Sequence, residues 1–226
     1  GAKPKKWVLQ AGDAEGGGVV PFLYRPRGPV SSLQWAIGLE LMLLSSNPER
    51  TILTTDHPNG GVFTEYPRII HLLMDAEERA REIATLPAVV SERSGLASIE
   101  REYTLSEIAQ LTRSGPAKLL GLTDRGHLRP GARADVAIYR DDKNRTAMFA
   151  NAKLVLKDGR TIVEDGEVVE WGFGKTLELD VEADPAIARR SEAYLQDRFG
   201  AGLDTFAVPD AAFPEAAVFE DVACRA

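Results

Sequence analysis

The stretch Lys153-Leu-Val-Leu-Lys-Asp-Gly-Arg-Thr-Ile-Val-Glu-Asp-Gly-Glu-Val-Val-Glu170 decides the fold of the later part of the chain. Three short runs rich in β-branched residues are separated by Asp158-Gly159 and by Asp165-Gly166. Aspartate–glycine pairs between alternating runs are typical of two-residue β-hairpin turns. The stretch therefore predicts an antiparallel ribbon of three strands, and the apolar run of residues 135–139 predicts another strand nearby.

A helix-rich part precedes this ribbon. Residues 32–45 are apolar on more than one face, which predicts a helix packed on a sheet. A second helix is expected over residues 64–74, and Thr104-Leu-Ser-Glu107 is a capping box that begins a third. Ser114-Gly115-Pro116 is predicted to stop that helix, and the charged residues around Arg79 are predicted to form a solvated helix face.

Composition limits the classes of function. The 226 residues are 44% hydrophobic and 27% charged, which is typical of a globular protein. The net charge of -7 makes nucleic acid an unfavourable partner, because an acidic surface repels phosphates. No apolar run approaches the roughly 20 residues of a membrane span, and no signal peptide is visible. With Cys224 as its single cysteine, the chain is expected to act in the cytoplasm without disulfides or iron–sulfur sites.

Asp56 is the sharpest candidate for chemistry. It directly follows the β-branched run of residues 51–55, which predicts a buried strand. In a barrel of alternating strands and helices, catalytic groups collect at the carboxyl ends of the strands. A carboxylate there can bind zinc and take a proton from water. Spacing alone nevertheless favours a plain turn aspartate, which would bond its own backbone.

The other candidates are weaker. Asn59, Gly60 and Gly61 could offer amide groups to a substrate, or could serve only the geometry of the turn, and the sequence weighs these alternatives equally. The three histidines are His57, His71 and His127, and no two of them have the spacing of a zinc motif. The sequence therefore contains no self-sufficient metal site.

Two stretches resemble a known family. Pro116-Ala-Lys-Leu-Leu-Gly-Leu122, followed by Gly126-His-Leu-Arg-Pro-Gly-Ala-Arg-Ala-Asp-Val136, resembles the carboxy-terminal passage of the amidohydrolase superfamily. Thr54-Thr-Asp-His-Pro-Asn-Gly-Gly-Val-Phe-Thr-Glu-Tyr-Pro-Arg-Ile-Ile70 resembles the A-type polypeptide of formylmethanofuran dehydrogenase. It equally resembles the matching alpha polypeptide of the bacterial formyltransferase/hydrolase complex. The resemblance covers most of residues 19–171.

The resemblance implies an α/β fold in three segments. Residues 1–121 would supply the last strands and helices of a (β/α)8 metal-dependent hydrolase barrel. Residues 122–175 would form a small β-sandwich lobe, and residues 176–226 a helical and irregular acidic tail. The superfamily implies two zinc ions held by an early His-x-His pair, a carboxylated lysine, later histidines and the aspartate after the last barrel strand. Asp56 matches that aspartate.

The implied reaction is hydrolysis of a formyl amide on a methanofuran-type carrier, or the reverse condensation, in one-carbon metabolism. A zinc-bound hydroxide would attack the formyl carbon, and Asp56 would pass the proton to the leaving amine. The early ligands belong to a part of the family's chain that does not match these residues, and Gly1 in place of Met leads us to expect an earlier natural start. We therefore expect a missing amino-terminal half or other complex subunits as partners, and no activity from this chain alone.

Two other hypotheses remain open. Another amidohydrolase, such as a cyclic-amide hydrolase, would share the pattern around residues 126–136 but would leave the block of residues 56–61 unexplained. A non-catalytic scaffold would dock other chains without chemistry. Comparing the hydrolysis of a formylated furfurylamine with that of a cyclic imide distinguishes the first alternative from the formyl-carrier hydrolase. An Asp56→Asn change that leaves function unaltered would favour the scaffold.

Overall fold

The computed structural model describes residues 28–55, 57, 62–172, 174–180, 184–207 and 218–223. The chain divides into two compact units, with the described residues 28–170 in the first and residues from Trp171 onward in the second. Both units contain helices and strands, so the fold class is α/β. Within these ranges, no helix combines the length and the apolar character needed to cross a membrane.

The described part of the first unit begins with helices. They are α1 (Pro29–Leu44), α2 (Tyr66–Met74), α3 (Ala76–Ile83), α4 (Val89–Arg93), α5 (Leu105–Ala109) and α6 (Gly115–Leu119). α1 starts three residues before the predicted position, because a proline fits the first turn of a helix. The capping box predicted at Thr104 and Glu107 is confirmed, since each side chain accepts a hydrogen bond from the other residue's backbone N–H.

The core of this unit lies among these helices. Leu39 and Leu43 of α1, Leu73 of α2 and Leu111 are among its buried residues. α1 is apolar on its other side as well, where Val30, Ile37, Leu41 and Leu44 are exposed. The apolar face predicted from the sequence is therefore only half covered by the described residues, with about 65% of Leu41 accessible to solvent.

The predicted stop at Ser114-Gly115-Pro116 is wrong. The helix continues through a π-helical turn at Gln110–Ser114 into α6, and Gly115 keeps helical dihedral angles. The Gly115 N–H donates to the carbonyl of Gln110, five residues earlier. A widened turn lets the helix accommodate Pro116, which has no N–H to donate. A side chain at position 115 would come within 2.7 Å of the Glu49 carbonyl oxygen, so a glycine is needed there.

Arg79 also departs from the prediction. It is 1% exposed rather than part of a solvated face. Its guanidinium donates hydrogen bonds to the carbonyl oxygens of Leu72 (2.7 Å), Ile99 (2.8 Å) and Arg101 (3.0 Å). Burial lowers the pKa of Arg79. Arg79 thus ties α3 to the end of α2 and to the segment that leads into α5.

The predicted ribbon is confirmed. β1 (Val136–Ile138), β2 (Leu154–Lys157), β3 (Arg160–Glu164) and β4 (Glu167–Val168) form one antiparallel sheet in that order. The turn residues Asp158, Gly159, Asp165 and Gly166 all have positive φ, between 48° and 85°. Two consecutive positive φ values define the type I′ turn, which matches the twist of the flanking strands. A short helix, α7 (Arg145–Ala150), lies between β1 and β2 in the chain and was not predicted.

A charge network joins the loop before β1 to the first hairpin. The Asp124 carboxylate accepts hydrogen bonds from Arg125 (2.9 Å) and Arg133 (2.5 Å), and Arg133 also pairs with Asp158. The hydrogen bonds from Arg125 and Arg133 hold the pKa of Asp124 well below its usual range. Close by, Asp135 accepts hydrogen bonds from the Lys157 ammonium and from the Asp158 N–H.

The second unit contains a parallel pair of strands and one long helix. β5 (Lys175–Asp180) pairs in parallel with β6 (Val218–Ala223). α8 (Pro185–Phe199) confirms the helical composition predicted for this part of the sequence, and the Asp184 side chain caps its first turn. The strands β5 and β6 were not predicted, because their pairing partners lie about 40 residues apart in sequence and no short turn signals the pair.

Candidate functional site

The candidate site begins with the segment of residues 51–55. This segment is extended but pairs with no strand among the described residues. The predicted strand is therefore present only as an extended, unpaired segment in the described structure. A strand needs a hydrogen-bonded neighbour, and the described part of the chain places none beside it. Exposure nevertheless alternates as in a strand: Leu53 and Thr55 are buried, while Thr54 between them is exposed.

Tyr66 holds the end of this segment. Its hydroxyl accepts a hydrogen bond from the Thr55 N–H across 3.4 Å. The Thr55 side chain is buried as well, and its Oγ1 has no hydrogen-bond partner among the described residues. A buried hydroxyl without a partner is uncommon in folded proteins. Thr55 is the residue immediately before Asp56.

A cavity of about 260 Å³ lies beside Leu53 and Tyr66. Its wall includes Arg113, Tyr139 and Phe149, so aromatic rings and one cation line it. The rings of Tyr139 and Phe149 are in contact, with 5.1 Å between their centroids. The cavity therefore adjoins the extended segment on the side to which Leu53 points, not the side of the exposed Thr54.

The predicted site residues Asp56, Asn59, Gly60 and Gly61 lie outside the described residues. Their roles stay predictions. His57, their neighbour, is described and exposed, and its ring meets the ring of Phe63 edge to face at 5.1 Å between centroids.

The three histidines do not come together as metal ligands. His71 Nδ1 lies 2.9 Å from Thr146 Oγ1, and its Nε2 lies 3.6 Å from an Asp75 carboxylate oxygen. Among the described residues, His127 bonds its own loop, through the Thr123 carbonyl oxygen and the Arg129 N–H. In the described part of the chain, no group of three or more His, Cys, Asp or Glu residues could hold a metal ion. These residues therefore do not by themselves fit the zinc centre that the resemblance implies.

Sequence reasoning missed Tyr66 and Arg79 as residues that organise this region. Tyr66 was visible only as part of the motif that follows Asp56, with nothing to indicate which backbone group its hydroxyl meets. Its partner is 11 residues away, across a Pro/Asn/Gly loop. Arg79 stands in a run of mixed charges, and such runs usually face solvent.

The fold and the motifs place the chain in a known class. The model of the amidohydrolase family matches residues 1–163, and the chain belongs to this family. The α/β architecture agrees with that membership.

Two relatives and one solved structure are more specific. The chain is 86% identical over 227 residues to the A component of the formyltransferase/hydrolase complex Fhc of Methylorubrum extorquens, covering 100% of this chain and 41% of the relative. It is 47% identical over 175 residues to protein FwdA of Methanocaldococcus jannaschii, covering 74% of this chain and 31% of the relative. The chain thus spans less than half the length of these curated relatives.

The solved structure is the crystal structure of the formyltransferase/hydrolase complex FhcABCD from Methylorubrum extorquens in complex with methylofuran. The two structures superpose with a TM-score of 0.84 at 85% sequence identity. The match covers 100% of this chain and 42% of the chain in that structure. The resemblance noted from the sequence to the alpha polypeptide of the bacterial complex is confirmed.

Proposed function

We propose that the protein containing this chain hydrolyses a formyl amide on a methylofuran-type carrier, or forms it in the reverse direction. The observation that carries this proposal is the 86% identity to the A component of Fhc, which extends over the whole of the chain. A divergence this small favours the same chemistry on the same class of carrier. We further propose that the protein works within a multi-subunit complex, by analogy with the FhcABCD structure.

Asp56 is the proposed catalytic carboxylate and metal ligand. It follows Thr54, which is exposed, and Thr55, whose side chain is buried. In a barrel, catalytic groups collect at the carboxyl ends of the strands, and Asp56 directly follows the extended segment in the sequence.

The proposed proton transfer is a general acid–base cycle. Water adds to the formyl carbon as Asp56 accepts one of its protons, and the C–N bond then breaks as that proton passes to the leaving amine. The products are formate and the free amine of the carrier. The described residues contain no complete zinc site. Asn59, Gly60 and Gly61 are proposed to offer backbone or amide groups to the carrier.

The same proposal assigns regions to the fold. Residues 1–121 are proposed as part of a (β/α)8 barrel, residues 122–175 as the β-sandwich lobe, and residues 176–226 as a tail. Leu41 and Leu44 on α1 are apolar and exposed, which supports the proposal that further parts of a barrel cover this helix. Action in the cytoplasm stays a prediction.

The decisive experiment is Asp56→Asn in the protein purified with the subunits that accompany it. Formate release from a formylated furfurylamine carrier is expected to fall by roughly 10²- to 10⁴-fold, because the proton acceptor is lost. The matched control is Asp197→Asn on the exposed surface of α8, which is expected to keep full activity. A gel-filtration profile identical to that of the parent shows that assembly is intact.

Each other result contradicts the proposal in a different way. Full activity of the Asp56→Asn protein excludes Asp56 as the proton acceptor. Hydrolysis of a cyclic imide in preference to the formyl amide would indicate another amidohydrolase. Absence of any hydrolysis by an intact parent assembly would indicate a scaffold role.

A further inference from the structure

The two hairpin turns of the antiparallel sheet have the sequences Asp158-Gly159 and Asp165-Gly166. An aspartate followed by a glycine is prone to an intramolecular reaction, because glycine has no side chain to hinder its own nitrogen from approaching the carboxyl group. The reacting atoms belong to adjacent residues, so the reaction needs no partner molecule. Its rate in the folded protein depends on the contacts that hold these atoms within the turn.

At Asp165 the reaction has two steps. The Gly166 nitrogen bonds to the Asp165 Cγ and loses its proton, and one carboxyl oxygen leaves as water, which closes a succinimide ring. Water then opens the ring. When it breaks the bond between this nitrogen and the main-chain carbonyl carbon of Asp165, an isoaspartate results. The main chain then runs through the former side chain, and the mass is unchanged.

The fold holds both reacting groups of this turn. The Arg140 guanidinium donates a hydrogen bond to an Asp165 carboxylate oxygen across 2.7 Å. The Gly166 N–H donates to the Ala152 carbonyl oxygen across 3.0 Å. The carboxylate oxygen can leave as water only after it has released Arg140, and the nitrogen can attack only after its N–H has released Ala152. Each contact therefore slows ring closure.

The first hairpin turn provides a reference site in the same sheet. The Asp158 carboxylate lies 3.4 Å from the Arg133 guanidinium and 4.0 Å from the Lys157 ammonium. The two aspartates are thus held by different cations. A change at Arg140 is therefore expected to act on the second turn and to leave the first as it is.

We propose that Asp165-Gly166 is a site of isoaspartate formation and that Arg140 restrains this reaction in the folded protein. The inference is independent of the proposed hydrolase function. Isoaspartate adds one carbon atom to the main chain within the turn. A type I′ turn depends on the geometry of its own two residues, so the modification breaks the register in which Glu164 pairs with Glu167. The strand β4 then leaves the ladder.

Arg140→Gln tests the proposal, because it removes the cation and keeps a polar side chain. The variant and the parent are incubated as intact assemblies at neutral pH, and isoaspartate in the peptides that contain Asp158 and Asp165 is measured over time by chromatography and mass spectrometry. The rate at Asp165 is expected to rise by roughly 2- to 5-fold, the range that corresponds to one exposed ion pair. The rate at Asp158 is expected to match the parent.

Arg81→Gln is the matched control, since Arg81 is also an exposed arginine in an ion pair, with Glu78 on α3. It is expected to leave the rates at both turns unchanged. Parent protein unfolded in urea is expected to form isoaspartate faster at both sites than the folded protein, because unfolding releases the reacting groups.

The outcomes separate the two parts of the proposal. An unchanged rate at Asp165 in Arg140→Gln overturns the role of Arg140, and so does an equal rise at Asp158, which would indicate a general loosening of the sheet. Absence of isoaspartate at Asp165 even in the unfolded parent overturns the modification site itself. If Arg140→Gln fails to assemble, added salt replaces it, since salt screens an exposed pair. A rate at Asp165 that rises with salt in the parent supports the restraint, and a constant rate overturns it.

Discussion

At the scale of single residues, burial determines the role of a side chain more than its residue type does. Arg79 and Arg81 lie two positions apart on α3, yet the first is enclosed and bonded to three carbonyl oxygens, and the second pairs with Glu78 at the surface. A guanidinium can serve three acceptors at once because its donors form a planar fork. Arg79 therefore acts as a crosslink between segments and not as a solvated charge.

Replacing Arg79 by alanine is expected to lower the free energy of unfolding by about 3 kcal/mol or more, because buried carbonyls lose their donor. Arg79→Lys is expected to recover only part of the loss, since an ammonium lacks the fork. Arg81→Ala on the same helix is the control and is expected to change little. Urea unfolding curves provide the measurement, and equal effects of the two alanine variants would contradict the role of Arg79.

At the scale of elements, two-residue turns and ion pairs hold the antiparallel sheet to the loop before it. Asp124 bonds Arg125 and Arg133, and Arg133 reaches Asp158 in the first hairpin turn. Asp158 itself has positive φ, which aspartate tolerates better than most side chains. The loop and the hairpin are thus joined by charge as well as by the ladder between β1 and β2.

The pH dependence of this junction follows from the lowered pKa of Asp124, caused first by Arg125 and then by Arg133. A carboxylate with a lowered folded pKa contributes stability above its unfolded pKa of about 3.9, and the contribution is lost as pH falls below that value. Asp124→Asn is therefore expected to be less stable than the parent at pH 7, and this deficit is expected to shrink below about pH 4. Since 39% of the side chain is exposed, the deficit is expected to be about 1 kcal/mol or less.

Urea unfolding of both proteins at neutral and acid pH measures this difference. Asp197→Asn on α8 serves as the control, because the described structure gives Asp197 no such pair of arginines. A deficit of Asp124→Asn that is the same at both pH values would contradict the assignment.

At the scale of the whole molecule, the chain spans 41% of the length of the A component of Fhc, and its described residues contain no complete metal site. Two features agree with a fold that is completed by other parts of a protein. The first is the set of exposed apolar residues on α1. The second is the extended segment of residues 51–55, which lies beside no described strand. Zinc content is therefore expected to depend on what accompanies the chain.

Elemental analysis tests this dependence. The chain purified alone is expected to hold little zinc. The chain co-expressed with the remaining length of its relative is expected to hold about two equivalents, with Asp56 as one ligand. Two tightly held ions in the chain alone would show that the ligand assignment is wrong. Absence of zinc from both samples would exclude the binuclear centre.

The sequence by itself determined the local features and the family. Asp158-Gly159 and Asp165-Gly166 predicted both hairpins because a type I′ turn depends only on its own two residues. The capping box at Thr104 is local in the same way. The motif around Asp56 predicted it as a catalytic residue and metal ligand, and Asp56 lies outside the described residues.

Only the tertiary structure decided the features that depend on distant partners. The burial of Arg79, the contact of Tyr66 with Thr55 and the parallel pair β5 and β6 all join residues far apart in sequence. The same holds for the π-helical turn at Gln110–Ser114, which carries the helix past a proline where the local signals predicted a stop. Local propensities are weak, and packing in the folded chain overrides them where many contacts act together.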